Sequence, residues 1–289
     1  MGESQTYSEG IKVLSNRDFD RLSQFISEHC GIKMPPAKKT LLESRLQKRI
    51  RTLGVPSFRE YCDYLFENPD GMSELVHMID AVTTNKTDFF REPVHYSFLS
   101  ETVLPEFVHH QRATGAQQFT VWSAGCSSGQ EPYTLAIVLS EFAARNPGFQ
   151  FTIMATDIST KVLDKARTGI YDEGQIAMMP YALKQKYFMR SKDRDKKLVR
   201  VVPALRSSIQ FQRLNLMDQR FPMPEASLDA IFCRNVMIYF ERDTQNKLLG
   251  RLCRYLKTGE HLFLGHSETV HGFDLPLVRI ESTIYRKTP

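Results

Sequence analysis

The chain is poor in cysteine, has a single tryptophan, and contains no long apolar run. Its five cysteines, Cys30, Cys62, Cys126, Cys233 and Cys253, are odd in number, dispersed and without CxxC spacing. That argues against a disulfide framework and a thiolate zinc site, and for a reducing cytoplasm. No apolar stretch approaches the length of a membrane span, and the polar N-terminus lacks a signal-peptide core, so no membrane insertion is expected. Gly2 and Thr6 fit a myristoylation pattern only formally, and the short match is discounted. The histidines show no HExxH or comparable spacing, so no metal is expected. Repeats and low-complexity segments are absent too. What remains, 289 residues with 42% hydrophobic and 25% charged side chains, suits one large or two modest globular domains.

The net charge of +5 is unevenly distributed. Lys38 to Arg51 holds six basic residues and one acidic, and Arg190 to Arg200 six basic and two acidic. Such clusters imply an acidic partner, the competing explanation being a solvated face. Within the first cluster, Leu42, Leu46, Ile50 and Leu53 recur at helical spacing. Arg45, Lys48, Arg49 and Arg51 fill the rest of the circumference, which predicts a helix with an apolar back and a basic front.

Residues 1–84 read as helices alone: one along Phe19, Leu22, Phe25 and Ile26 ending near Gly31, and the basic one ending at Gly54. A third is capped by Ser57 and a fourth by Ser73. Residues 85–118 read as a linker carrying polar site residues. From 119 to 289 strands and helices alternate, the pattern of a parallel sheet covered by helices. A long helix through Leu248, Leu252 and Leu256 is expected to close near Gly259, with strands at His261–Gly265 and Ser282–Arg286. Residues 190–214 break the alternation and predict a small antiparallel excursion.

Phe119 to Ser159 is the most informative stretch. It reads strand, small-residue turn, helix, strand, then Asp157, a nucleotide-binding βαβ unit whose terminal carboxylate can take two ribose hydroxyls. The GxGxxG fingerprint is missing. Glu131 stands at the helix start, where it would repel a diphosphate and suit a cationic ligand. That favours S-adenosylmethionine, which has ribose and adenine but no phosphate, over a dinucleotide. Ligands in such folds bind beyond the carboxyl ends of the strands, which gathers Gly125, Asp157, Asn215 and Arg234 around one crevice. Gly125, Ser127 and Gly129 also satisfy GxSxG, and Asp229 with His261, His266 or His271 follows in hydrolase order. An elbow that follows helices, and an Asp157 left without a role, count against that class.

Two further segments carry chemistry. TTNKTDFFRE, Thr83 to Glu92, offers Arg91 as a bidentate partner for the cofactor carboxylate, with Asn85 and Thr87 as neutral hydrogen-bonding groups. Pairing of Arg91 with Glu92 is the simpler alternative. FCRNVMIYF, Phe232 to Phe240, places Arg234 and Asn235 at a strand tip and Tyr239 one turn beyond, where a phenol can address the reacting groups.

These segments, with WSAGCSSGQEPY, ATDIS, NLMD at Asn215 to Asp218 and LFLGHSE at Leu262 to Glu268, together resemble the CheR family of chemoreceptor protein-glutamate O-methyltransferases. The resemblance runs along nearly the whole chain in one order. It implies an all-helical N-terminal domain and a Rossmann-like class I methyltransferase domain with a small antiparallel β-subdomain. It implies methyl transfer from S-adenosylmethionine to glutamate side chains of receptor cytoplasmic helices, with S-adenosylhomocysteine as product. It places Asn85, Thr87, Arg91, Glu131, Asp157, Asn215, Leu216, Arg234 and Asn235 against the cofactor, and Arg91 and Tyr239 nearest the transferred methyl. It assigns the basic helix, with Arg45, Lys48 and Arg49, to the methyl-accepting chemoreceptor. A cytoplasmic monomer recruited to membrane-bound receptor arrays, with no nucleic acid, follows. Residues 190–214 resemble a subdomain that in some members binds a receptor tether, although Ser191 to Lys197 has no glycine and many charges. A glutamate carboxylate is ionised at neutral pH and needs alignment rather than a general base. An RNA or DNA methyltransferase and a catalytically silent cofactor-binding adaptor are the other classes considered; no NPPY-like motif supports the former.

Overall fold

The computed structural model describes residues 13–68, 71–114 and 118–289, so the Gly2 and Thr6 pattern lies outside it. The chain divides into two compact units, Met1–Thr84 and Asn85–Pro289.

The first unit is helical: α1 (Asn16–Cys30), α2 (Lys39–Leu53), α3 (Phe58–Glu67) and α4 (Gly71–Val82). Side-chain caps start α1 and α3, where Ser15 and Ser57 accept N–H bonds from Asp18 and Glu60. Gly31 and Gly54 end α1 and α2 in left-handed conformation. α4 begins at Gly71, so Ser73 lies in its first turn rather than at its cap. Leu22, Ile26, Leu42, Leu46, Ile50, Tyr61 and Met78 are fully buried, which confirms the apolar stripes.

The second unit opens with α5 (Val94–Phe98), a π-helical turn (Leu99–Val103) and α6 (Leu104–Thr114). Residues 85–118 are therefore more than a linker. Tyr96, Leu99, Val103, Leu104 and Phe107 are buried in the core of this unit. Then follow β1 (Phe119–Ala124), α7 (Gln130–Arg145), β2 (Phe151–Asp157), α8 (Thr160–Thr168), β3 (Ile170–Asp172), α9 (Tyr181–Tyr187), β4 (Phe188–Arg190), β5 (Leu198–Val201), α10 (Pro203–Ser207) and β6 (Ile209–Arg213). The chain ends with β7 (Leu228–Cys233), a 3-10 turn (Met237–Tyr239), α11 (Arg242–Tyr255), β8 (Leu256–Leu264), β9 (Leu277–Glu281) and β10 (Ile284–Lys287).

Seven strands form the main sheet in the order β6-β2-β1-β7-β8-β10-β9, parallel except at the antiparallel β10. α11 stops at Tyr255, and β8 starts at once and runs through Gly259, which is a residue within the strand and not a helix cap. β9, Leu277–Glu281, is an edge strand with mostly exposed side chains, so its sequence carries little apolar alternation to mark it.

A second sheet has three antiparallel strands, β3-β5-β4. It spans Ile170 to Val201, where 190–214 was expected, and β6 belongs to the main sheet. The shift has a simple cause. The strands β3 and β4 are three residues long, too short for periodicity to reveal.

Strand order sets the position of the site. The chain moves from β1 outward through β2 to β6, then crosses to β7 and β8 on the other flank. The strand order reverses between β1 and β7, and ligands of such sheets bind beyond the carboxyl ends of the strands at this switch point.

Candidate active site

Asp157, the last residue of β2, is nearly buried at 8% exposure. Its Oδ2 accepts the Ser127 N–H at 2.8 Å and its Oδ1 the Ser159 N–H at 2.9 Å. These two backbone donors orient the carboxylate at the strand tip. Ser127 takes a positive φ of 49°, and its Oγ donates to the Asn85 carbonyl at 3.0 Å. The serine of GxSxG thus organises the turn and ties down the segment that carries Asn85. Asp229 accepts from the Thr120 N–H at 2.7 Å and from Lys257 at 2.6 Å. Thr120 lies at the start of β1 and Ser127 beyond its end, so a hydrolase triad cannot assemble.

Glu131 sits in the first turn of α7. Ser123 Oγ donates to its Oε1 at 2.7 Å, and Arg234 Nη1 stands 3.4 Å from Oε2. Burial pushes this carboxyl above its usual range, and the Arg234 charge and the Ser123 hydrogen bond oppose the shift.

Arg234, just past β7, is buried and serves as a hub. Its guanidinium lies 3.1 Å from Glu92 Oε2, donates to Tyr96 Oη at 2.9 Å and to the Arg91 carbonyl, and packs over the Tyr96 ring. Both Nη groups are thereby engaged by protein partners. Glu92 is held below the usual carboxylate range. Burial works upward, but Arg234, the His266 N–H and Asn235 outweigh it. Arg91 Nε is 4.0 Å from Glu92 Oε1, and Arg91 Nη1 donates to the Lys86 carbonyl at 3.2 Å. Thus the main partner of Glu92 is Arg234, while the half-exposed Arg91 keeps the longer pairing with Glu92 considered above. Glu92, His95 and His266 bring ligand-type atoms within 4.8 Å of one another. The Arg234 guanidinium already supplies positive charge at the same Glu92 oxygen, which opposes a cation there.

Asn235 has a φ of 58° and turns the chain away from β7; its Nδ2 donates to Glu92 Oε1 at 3.3 Å. Asn215 Oδ1 accepts the Met217 N–H at 3.0 Å, and Leu216 is buried with its carbonyl held by Arg251 at 2.7 Å. Thr87 and Tyr239 are half-buried, the latter closing the 3-10 turn. Sequence reasoning missed Tyr96, which stands in no motif, and Ser123, which stands in WSAGCSSGQEPY without a chemical pattern of its own. Their contacts with Arg234 and Glu131 reveal them.

On α2 the three basic residues separate. Arg45 donates to the Val82 and Thr83 carbonyls and to Thr84 Oγ1, closing the C-terminus of α4. Arg49 is paired with Glu74. Lys48 is exposed, and so is Arg51. A continuous basic front is therefore not formed, because two long side chains turn inward to satisfy α4.

The donor set fits S-adenosylmethionine: a backbone-oriented carboxylate for a ribose diol, and acidic side chains for a cation. It does not fit a dinucleotide, since Glu131 occupies the helix start that a pyrophosphate would need.

Residues 17–83 match the family described as CheR methyltransferase, all-alpha domain, and residues 85–286 match CheR methyltransferase, SAM binding domain. The chain is 41% identical over 260 residues to a chemotaxis protein methyltransferase of Borreliella burgdorferi, covering 90% of each. It is 37% identical to the chemotaxis protein methyltransferase of Escherichia coli, over 94% of this chain and 91% of that one. It is also 37% identical to chemotaxis protein methyltransferase 2 of Pseudomonas aeruginosa, over 94% and 93%. A helical domain followed by a class I methyltransferase domain, both matched in order, makes this chain a member of the CheR family of S-adenosylmethionine-dependent methyltransferases.

Proposed function

We propose that the enzyme esterifies glutamate side chains on the cytoplasmic helices of chemoreceptors, in the cytoplasm beside receptor arrays. Support comes from relatives named chemotaxis protein methyltransferase that align over about nine-tenths of both chains. The carrying observation in the site is its pair of fixed acids: backbone N–H groups of Ser127 and Ser159 orient Asp157, and Ser123 and Arg234 hold Glu131.

When bound, S-adenosylmethionine supplies an electrophilic methyl on sulfonium; the acceptor oxygen takes it, and the C–S electron pair stays on sulfur. Asp157, oriented by Ser127 and Ser159, would anchor the ribose. Glu131 would balance the cationic end of the cofactor. Arg91 would hold the cofactor carboxylate, with Asn85 and Thr87 adding neutral bonds and Asn215, Leu216 and Asn235 completing the cofactor contacts. Tyr239 would offer its hydroxyl to the transferred methyl. The acceptor carboxylate arrives ionised, so no residue has to remove a proton. Arg234 holds Glu92, Glu131 and the Arg91 backbone in register.

Transfer of radiolabelled methyl to a receptor cytoplasmic fragment tests the substrate. A protein-bound label released as methanol by mild base is the expected result. Label that resists base, or that appears only on added RNA, rejects the glutamyl ester.

A further inference from the structure

Glu268 lies in the loop after β8 at 6% exposure. Its Oε2 accepts the N–H of Gly265 at 2.7 Å and of Asn235 at 2.9 Å; its Oε1 accepts that of Val236 at 2.9 Å and of Met237 at 2.7 Å. Four backbone donors from two loops thus converge on one carboxylate. Three belong to the turn after β7, where Asn235 adopts left-handed backbone that a residue with a side chain takes at a cost. The Val236 and Met237 donors open the 3-10 turn that ends at Tyr239, and the first N–H groups of a helical turn have no partner within it.

The turn is pinned on other sides too. A Cβ at Gly125, in the loop after β1, would fall 2.4 Å from Val236 Cγ2. A Cβ at Gly265 would fall 2.4 Å from Asn235 Nδ2 and 2.8 Å from its backbone N. Three loops at the carboxyl ends of β1, β7 and β8 therefore meet with no room to spare, and Glu268 is the charged group that joins two of them. Charge-assisted hydrogen bonds are the strong ones, and a backbone so held keeps its side chains within a narrow range of positions.

We propose that Glu268 is a positioning residue for methyl transfer: its carboxylate fixes the backbone that presents Asn235 to the cofactor and Tyr239 to the transferred methyl. The proposal rests on the roles given to those two residues above, and assigns Glu268 no contact with cofactor or acceptor.

The test uses the full-length enzyme. Glu268→Gln keeps the volume but replaces one acceptor oxygen by an NH2 group, so two of the four N–H donors lose their acceptor. Calorimetry with S-adenosylmethionine alone should show Kd raised by about tenfold or more, as expected for lost bonds to a charged acceptor. At saturating cofactor, single-turnover methylation of a receptor fragment should fall by a further factor of about ten. Glu268→Asp keeps the charge but is one methylene shorter, so it cannot reach all four donors and should give the same two changes; it carries the test if Glu268→Gln does not fold. Leu249→Ala, buried in α11, controls for lost stability and should keep wild-type Kd. Wild-type Kd and rate in a folded Glu268→Gln, or in Glu268→Asp where the former does not fold, whatever their Tm, would reduce Glu268 to a structural tie. Because Kd is measured without acceptor, a wrong receptor assignment leaves that arm standing.

Discussion

Arg49 and Glu74 form a two-pronged ion pair between α2 and α4, with Nε donating to Oε1 at 2.7 Å and Nη2 to Oε2. Glu74 is 2% exposed and also accepts the Tyr61 hydroxyl at 2.9 Å. A residue that sequence reading gave to the substrate is thus part of the scaffold of the helical unit. Truncating it strands a buried carboxylate. Arg49→Ala should lower unfolding free energy by about 3 kcal/mol, the low end for breaking a buried pair because the guanidinium is partly exposed. Denaturant titration reads this directly; a loss below about 0.5 kcal/mol, typical of a surface substitution, would return Arg49 to the surface.

The cofactor assignment predicts a different pattern. Asp157→Ala and Arg91→Ala each remove a charge-assisted bond worth roughly 1.5–3 kcal/mol. Cofactor affinity should fall by about one to two decades with the fold intact. Asp157→Ala also frees the Ser127 and Ser159 N–H groups, so it should cost some Tm, whereas Arg91→Ala should cost little. Unchanged calorimetric affinity in both variants removes these residues from the cofactor site.

Tyr239 is separable from both. Tyr239→Phe preserves packing and deletes the hydroxyl, so turnover should fall more than cofactor affinity changes. Wild-type turnover in that variant makes Tyr239 a packing residue.

What the sequence disclosed and what it hid divide along physical lines. Asp157 and Glu131 were legible because strand, turn and helix periods fix where a residue must stand. The role of Arg234 was not. Its partners Glu92, Glu131 and Tyr96 lie 142, 103 and 138 positions away, and no local pattern encodes such pairings. Helix α2 shows the reverse failure. Its apolar stripe was read correctly, yet long basic side chains on the opposite arc can bend toward a neighbour, and Arg45 and Arg49 do. The small sheet was misplaced because three-residue strands carry too few side chains to alternate.

His95 gives a pH prediction with a definite sign. It is fully buried, with Nε2 2.9 Å from Thr283 Oγ1 and with Glu92, Arg234 and His266 around it. Burial, then the Arg234 charge, push its pKa down to about 4 from 6.5. Between those values the unfolded chain binds a proton that the folded one refuses, so stability present above the upper value is lost as pH falls toward the lower. Glu92, depressed, adds loss in the same direction. Glu131 and Glu268, pushed up by burial, act oppositely. The difference between wild type and His95→Gln isolates the histidine. The variant should lose less stability between neutral pH and about pH 4.5. Parallel stability curves for the two proteins would mean that His95 takes up its proton over the same pH range folded and unfolded.

Lys48 and Arg51 are the α2 cations that the fold leaves exposed, three residues apart and so on neighbouring positions of one face. If α2 meets an acidic receptor helix, these two carry the attraction, and Arg45 and Arg49 serve it only by fixing α4. Exposed charges act mainly on encounter, through a field that salt screens over about 8–10 Å. Lys48→Ala combined with Arg51→Ala should therefore raise KM for a receptor fragment and flatten its dependence on ionic strength, with kcat little changed. Cofactor affinity should be unaffected, because Arg91, Glu131 and Asp157 belong to the other compact unit. Stability should move by less than about 0.5 kcal/mol, as for ordinary surface substitutions, so a melt separates this variant from Arg49→Ala. Methylation kinetics across a salt series decide the matter. A double variant with wild-type kcat/KM and wild-type salt slope makes the exposed arc of α2 a solvated face, and receptor recognition then belongs to a different surface.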